Sequence, residues 1–330
     1  MKNVLLFSDF GVDDAVAIIF AYFCKEINLV GVVADYGNVS RENALANASY
    51  LEELTGVRTV PVFGGAELAL TGERPVYYPE VHGEAGLGPI IPDIKVNEDL
   101  FENFDGIKPL IEKYKNDLYI VNIGRLSSLA TAFILYPNLM ENVKEFYIMG
   151  GAFLVPGNVT QAAEANFYGD PYAARILINQ APKKLHICPL DVTMSAIITP
   201  ATVNSLHAYY ESTNNKLGLI IKPMVDFYYS FYQTSNPGIS GSPMHDTFTL
   251  WSILDDAMVE WAEVPVQVVV DRGIAFGESI GDFRKKPDTK ENDFKIHKVA
   301  TKFNYASFIK SFFEIMRSST ENINEKQPGT

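Results

Sequence analysis

Short, uninterrupted apolar runs alternate along this chain with longer stretches whose apolar positions recur every three or four residues. The runs NVLLF (3–7), INLVGVVA (27–34), LYIVNI (118–123), EFYIMG (145–150) and KLHICP (184–189) are continuous rather than alternating, as in strands covered on both faces. Between them, DDAVAIIFAYFCKE, SRENALANASYLEELTG, NFDGIKPLIEKYKN, LSSLATAFILYPN and DPYAARILINQ carry helical spacing. Asn38 or Ser40 is placed to cap the second helix, and Gly56 to end it. Strand and helix in strict alternation predict an α/β fold: an open, doubly wound, mostly parallel central sheet with helices on both faces. Residues from about 200 to 262 read as mainly helical and rich in aromatics. VPVQVVVD and the segment after Arg272 read as further strands in a hairpin, before a last helix at YASFIKSFFEIM. No repeat, low-complexity tract or linker divides residues 1–330, so a single domain is expected.

In such sheets ligands bind at the carboxyl ends of the strands. Asp9, Asn38, Ile123 and Met149–Gly151 therefore fall on one edge. The stretch FSDFGVDDAVAIIFAY puts Asp9, Asp13 and Asp14 within six residues there. Helix-start carboxylates are favoured by the helix dipole, which accounts for Asp13 and Asp14. It does not account for Asp9, at the strand end. Three carboxylates this close repel one another unless a cation lies among them, and oxygen-rich sites take calcium or magnesium. The spacing is not that of an EF-hand loop, so the remaining ligands must come from other strand ends.

Two later stretches belong to the same edge. GAFLVPGNVTQAAEANFYGDP (151–171) gathers Asn158, Glu164 and Asn166, side chains able to grip vicinal hydroxyls or simply to shape a turn. In SPMHDTFTLW (242–251), His245 and Asp246 open an apolar helix, as ligands or as a cap.

Charge narrows the partners. The chain has 330 residues, a formal net charge of −13 and a pI near 4.9, which argue against a nucleic-acid backbone as ligand. The apolar stretch at the N-terminus is too short for a signal peptide, and no run of about 18 uncharged apolar residues suits a membrane span. Cys24 and Cys188, the two cysteines, need not pair. A cytoplasmic protein is expected.

Taken together, these blocks resemble a known family. FSDFGVDDAVAI is similar to the DTDPGxDDA signature of the inosine-uridine-preferring nucleoside hydrolases. YGNVS (36–40), VHGEAGLG (81–88), IGRLSSLA (123–130), MGGAF (149–153), GNVTQAAEANFYGDP (157–171), PLDVT (189–193) and MHD (244–246) follow in the family's order. The matching motifs span about residues 4 to 250. The resemblance implies a calcium-dependent enzyme that cleaves the N-glycosidic bond of ribonucleosides with water, assembled as a homodimer or homotetramer. It implies Asp9 as calcium ligand and general base, Asp14 and Asp246 as further ligands, and Ile123 as a ligand through its carbonyl. Asp13 and Asn38 match positions near the ribose and the attacking water. Met149, Asn158, Glu164 and Asn166 fall on ribose-binding positions. His245 matches the histidine that assists the leaving base, and His82 lies on a loop that closes over the site.

The chain departs from the family pattern at Phe7, Ser8, Phe10, Arg125, Ser128 and Ala165. The base-facing wall is expected from 74–92 and 222–244, where Tyr228, Tyr229 and Tyr232 can stack on a base or pack in the core. A histidine near its ordinary pKa at position 245 would protonate the leaving group, which suits pyrimidines or inosine. His186 sits in an apolar strand, and His207 and His297 have no acidic or metal-spaced neighbours, so all three read as structural or surface residues. Two other readings fit parts of the pattern: a nucleoside- or ribose-binding protein without turnover, and a metal-dependent phosphatase. The latter lacks the Asp-x-Asp pair and lysine it requires.

Overall fold

A computed structural model describes residues 1–56, 60–285 and 294–318. The strands in chain order are β1 (Lys2–Ser8), β2 (Ile27–Ala34), β3 (Val62–Gly64), β4 (Leu118–Asn122), β5 (Glu145–Met149), β6 (Leu185–Cys188), β7 (Ile197–Ile198), β8 (Ser242–Pro243), β9 (Val259–Val268), β10 (Ser279–Gly281) and β11 (Ile296–Phe303). Nine of them form one sheet in the order β10-β9-β11-β6-β5-β4-β1-β2-β3, while β7 and β8 pair separately. Every pairing from β11 through β6 to β3 is parallel. Within this sheet only β9 runs against the others, so its pairings with β11 and with β10 are antiparallel, at one edge.

Alternate residues of β1 feed two cores. Val4 and Leu6 pack under the helices Val12–Phe23, Pro200–Thr213, His245–Leu254 and Tyr305–Arg317. Leu5 and Phe7 pack on the opposite face, with the helices Ile107–Tyr114, Ser127–Leu135 and Pro171–Gln180. Both faces are covered, which is why the strands read as continuous apolar runs. Burying these side chains is the main favourable term in the fold, about 25 cal/mol per Å² of apolar surface.

Ser40 caps the second helix, accepting a hydrogen bond from Asn43 N, and Gly56 ends it in the left-handed conformation. The region after residue 200 is helical as expected, with one difference. Residues 259–262 already belong to β9, which runs ten residues against β11. Its exposed and half-buried positions at an outer strand mask the apolar signal. The predicted hairpin becomes an antiparallel set of three strands, β10-β9-β11.

Two departures settle into this frame. Phe7 is fully buried on the face away from the Val12–Phe23 helix. Phe10 adopts φ 49°, a left-handed conformation closed to proline, whose ring holds φ near −65°.

Candidate active site

The carboxyl ends of β1, β2, β4 and β5 open on a cavity of about 460 Å³, lined by residues from all four strand ends and from the helical region. Asp9 follows β1 directly, and Asp13 and Asp14 sit in the first turn of the next helix, whose residues are all buried. Asp14 Oδ2 accepts from Gly11 N (2.8 Å) and from Asn38 Nδ2 (3.0 Å). Its Oδ1 accepts from Ser8 Oγ (2.7 Å) and Asp9 N (3.2 Å). Ser8, a departure, thus holds one of the acidic side chains in place.

Asp9 is clamped by Asn38. The Asn38 backbone N–H reaches Asp9 Oδ2 at 2.8 Å and its side-chain amide reaches Oδ1 at 3.1 Å. A Cβ at Gly37 would lie 1.9 Å from Asp9 Oδ2, so only glycine lets the chain turn this closely over the carboxylate. Arg125 Nη1 lies 3.7 Å from the same oxygen, with the arginine 4% exposed. Arg125, another departure, therefore sets a fixed positive charge beside Asp9.

Asp13, Asp14 and Asp246 each present a carboxylate oxygen within 4.8 Å of the others, all buried. Asp13 Oδ1 has no hydrogen-bond partner. Burial, reinforced by mutual repulsion, pushes Asp13 up to about 7 and Asp246 well above the carboxylate range. Burial also raises Asp9 and Asp14. An oxygen-only donor set, an orphaned buried lone pair and carboxylates this reluctant to ionise fit a hard cation. The geometry differs from the expected ligand set in one respect: the close group contains Asp13 rather than Asp9. Asp9's oxygens are taken up by Asn38 and face Arg125.

One wall of the cavity is polar. Glu164 caps the short helix Ala165–Gly169, taking Asn166 N at Oε1 and Gly151 N and Phe167 N at Oε2. Asn166 Nδ2 donates to the carbonyls of Ile123 (3.1 Å) and Met149 (3.2 Å), and its Oδ1 accepts from Arg125 Nη1 at 2.7 Å. Asn158, exposed at the rim, accepts from Ala165 N. The Ile123 carbonyl that the family pattern assigns to a metal is here hydrogen-bonded to Asn166.

The opposite wall is aromatic and imidazole. Tyr228 and Tyr232, one helical turn apart, face the cavity together with Phe231, whereas Tyr229 turns away to the Ile239 carbonyl. Hydroxyls and ring form a chain: Tyr228 Oη to Tyr232 Oη (3.4 Å), Tyr232 Oη to His245 Nε2 (3.0 Å), His245 Nδ1 to Thr193 Oγ1 (2.7 Å). The expectation of a histidine near its ordinary pKa is corrected here. Burial lowers His245 to about 4, and its ring nitrogens meet hydroxyls rather than carboxylates, so it is neutral at pH 7. His82 is also neutral, lowered to about 3 by burial, then by Arg125 and His245. Its Nδ1 accepts from Val12 N and lies 3.9 Å from Asp13 Oδ1.

Sequence reading missed Thr193, Phe231 and Asp35. Asp35 is a buried carboxylate raised to about 7, held by Ala66 N and by Ser128, also a departure. An acid following the apolar run INLVGVVA was its only signal. His186 stacks on Tyr147 and His297 bonds Leu185 N, both away from the cavity. His207 does have an acidic neighbour, Glu211 at 3.6 Å, one helical turn on.

Comparison with known proteins places the whole chain. Residues 4–310 match the model of the family described as inosine-uridine preferring nucleoside hydrolase. The chain is 29% identical to the inosine-uridine preferring nucleoside hydrolase of Crithidia fasciculata, over 86% of this chain and 88% of that protein. A plant nucleoside hydrolase superposes with a TM-score of 0.88 at 29% identity, covering 96% of this chain and 99% of the other. The purine-preferring ribonucleoside hydrolase of Gardnerella vaginalis does so with 0.85 at 30%, covering 98% and 100%.

Proposed function

This chain belongs to the inosine-uridine preferring nucleoside hydrolase family, hydrolases that act on N-glycosyl compounds, and we propose that it cleaves ribonucleosides to ribose and a free base in a calcium-dependent reaction. The observation that carries the reading is the buried Asp13/Asp14/Asp246 group, set between a polar wall and a hydroxyl–imidazole wall in one cavity. Asp14 and Asp246, with Asp13 or Asp9 and the Ile123 carbonyl, would hold the cation. A calcium ion there would polarise water and balance the buried negative charge.

The chain's own residues do the rest. Asp9, rigidly held and next to Arg125, takes the proton of the attacking water. The sugar develops positive charge as the bond breaks, and the surrounding carboxylates favour it. Asp13, Asn38, Met149, Asn158, Glu164 and Asn166 bind the ribose. The departing base receives a hydrogen bond from the Tyr228–Tyr232–His245 chain, with His245 neutral and Thr193 fixing its ring. His82 holds the start of the Val12–Phe23 helix under the lid residues 78–82 and faces the same space. We place the protein in the cytoplasm as a homodimer or homotetramer; among the described residues no helix is long and apolar enough to cross a membrane.

Ribose release from inosine and from uridine, measured with calcium and with excess chelator, tests the reading. Release that the chelator abolishes is expected; no release from either with calcium present overturns it and favours a binding protein. His245→Ala is expected to slow inosine cleavage by about a hundredfold and nitrophenyl riboside, whose leaving group needs no proton, by far less. Equal slowing of both substrates removes the leaving-group role.

A further inference from the structure

Asn166 lines the main cavity and the buried Arg125 does not, yet the two side chains are tied together. Two glycines make room for the arginine. A Cβ at Gly169 would lie 2.3 Å from its Cδ and Nε, and a Cβ at Gly37 would lie 2.8 Å from its Cγ. A guanidinium this deep needs an opposite charge, and Asp9 supplies it, 3.7 Å from Nη1. The same nitrogen donates to Asn166 Oδ1 at 2.7 Å, the short length of a bond from a charged donor.

That bond decides what Asn166 can offer a ligand. A side-chain amide has two donor hydrogens and an oxygen with two lone pairs. The Nδ2 group is directed at two carbonyls, Ile123 at 3.1 Å and Met149 at 3.2 Å, which take both hydrogens. One lone pair of Oδ1 is taken by Arg125. The reverse orientation would set the NH₂ against a guanidinium and the oxygen against two carbonyls, so it is shut out from both sides. The side chain keeps a single lone pair and can only accept. We propose that Arg125 is a positioning residue for sugar recognition: it holds Asn166 as a hydrogen-bond acceptor, so that the sugar must present a hydroxyl donor there. A sugar without that hydroxyl leaves a buried lone pair unpaired, which is where the discrimination arises. Without the guanidinium, Oδ1 loses its charged anchor, and the amide no longer has one orientation to impose.

The inference rests on the hydrolase reading, and one set of assays separates the two. Cleavage of uridine with calcium is compared with that of 2'-, 3'- and 5'-deoxyuridine. The proteins are the parent, Asn166→Ala, and Arg125→Met, which keeps the apolar stem and removes the charge. In the parent, at least one deoxyuridine is expected to lose about tenfold or more in kcat/KM against uridine. That same penalty is expected to fall to about threefold or less in both Asn166→Ala and Arg125→Met, and to return in part in Arg125→Lys. A merely structural role for Arg125 would lower all four substrates alike and leave their ratios standing. Gly169 is helical and so open to alanine; Gly169→Ala crowds the guanidinium with Arg125 in place. It is expected to relax the same ratio, which covers an Arg125→Met protein that does not fold. A penalty that Asn166→Ala removes and the Arg125 and Gly169 variants keep overturns the positioning role and leaves the hydrolase. A set of ratios that Asn166→Ala does not change also overturns it. Cleavage of none of the four substrates by the parent overturns the hydrolase reading itself, and the inference with it.

Discussion

Asp9→Asn is expected to lower kcat for inosine by about a thousandfold while leaving the dissociation constant of the nucleoside within a few-fold. The substitution keeps size and shape but removes the only property a base needs, a lone pair that can take a proton near pH 7. The surroundings make the loss selective. Asp9 is fully buried, and its two oxygens receive the backbone and side-chain N–H groups of Asn38, so the carboxylate cannot swing away to bind something else. An amide there must turn its NH₂ toward a donor or toward Arg125, which costs one hydrogen bond, about 1 kcal/mol, and not the fold. Rapid-quench kinetics alongside equilibrium binding separate the two effects. Turnover within tenfold of the parent assigns the base elsewhere, and Asp13, raised to about 7 and lacking a partner at Oδ1, is then the next candidate.

Much of the fold was legible because buried parallel strands leave an unbroken apolar signature and their connecting helices leave another. The carboxylate edge was legible for a related reason: Asp9, Asp13 and Asp14 crowd a strand end where nothing in the local chain neutralises them. What the sequence did not carry was the direction of side chains. Asp9 and Asp13 differ in surroundings because Asn38 reaches one and not the other, a contact between distant segments. Tyr229 leaves the cavity and Phe231 enters it through helix rotation alone, since residues three and four apart share a face. The charge state of His245 depends on what buries it, and its partners Thr193 and Tyr232 come from separate elements. Arg125 was visible as a departure, yet its place between Asp9 and Asn166 follows only from the packing of the Ala165–Gly169 helix against the end of β4.

Removing calcium is expected to destabilise the protein, and to do so more at pH 8 than at pH 5.5. Without a cation, burial raises the folded-state pKa of Asp9, Asp13, Asp14 and Asp246, and separately of Asp35, with Asp13 and Asp35 reaching about 7. A raised acid binds its proton more tightly folded than unfolded. Its contribution to stability is complete below the unfolded value, near 3.9, and is lost as pH rises through the folded value. The histidines act in the opposite sense: His82 and His245, lowered to about 3 and about 4, contribute above roughly pH 6.5 and lose that contribution as pH falls. The two terms compete below pH 6.5, whereas above it the carboxylates act alone. The chelated protein should therefore melt at progressively lower temperature from pH 6.5 to 8. A calcium ion bound there would replace the protons and hold the carboxylates ionised, so the saturated protein would escape this loss. Its stabilisation reaches about 4 kcal/mol when free calcium exceeds the dissociation constant roughly a thousandfold. Differential scanning calorimetry at the two pH values, with calcium and with chelator, measures the difference directly. A calcium-induced rise in Tm that is the same at both, or none at either, would mean that these carboxylates do not share a cation. The buried negative charge would then have to be offset by Arg125 and by retained protons, an arrangement suited to holding a ligand and not to activating water.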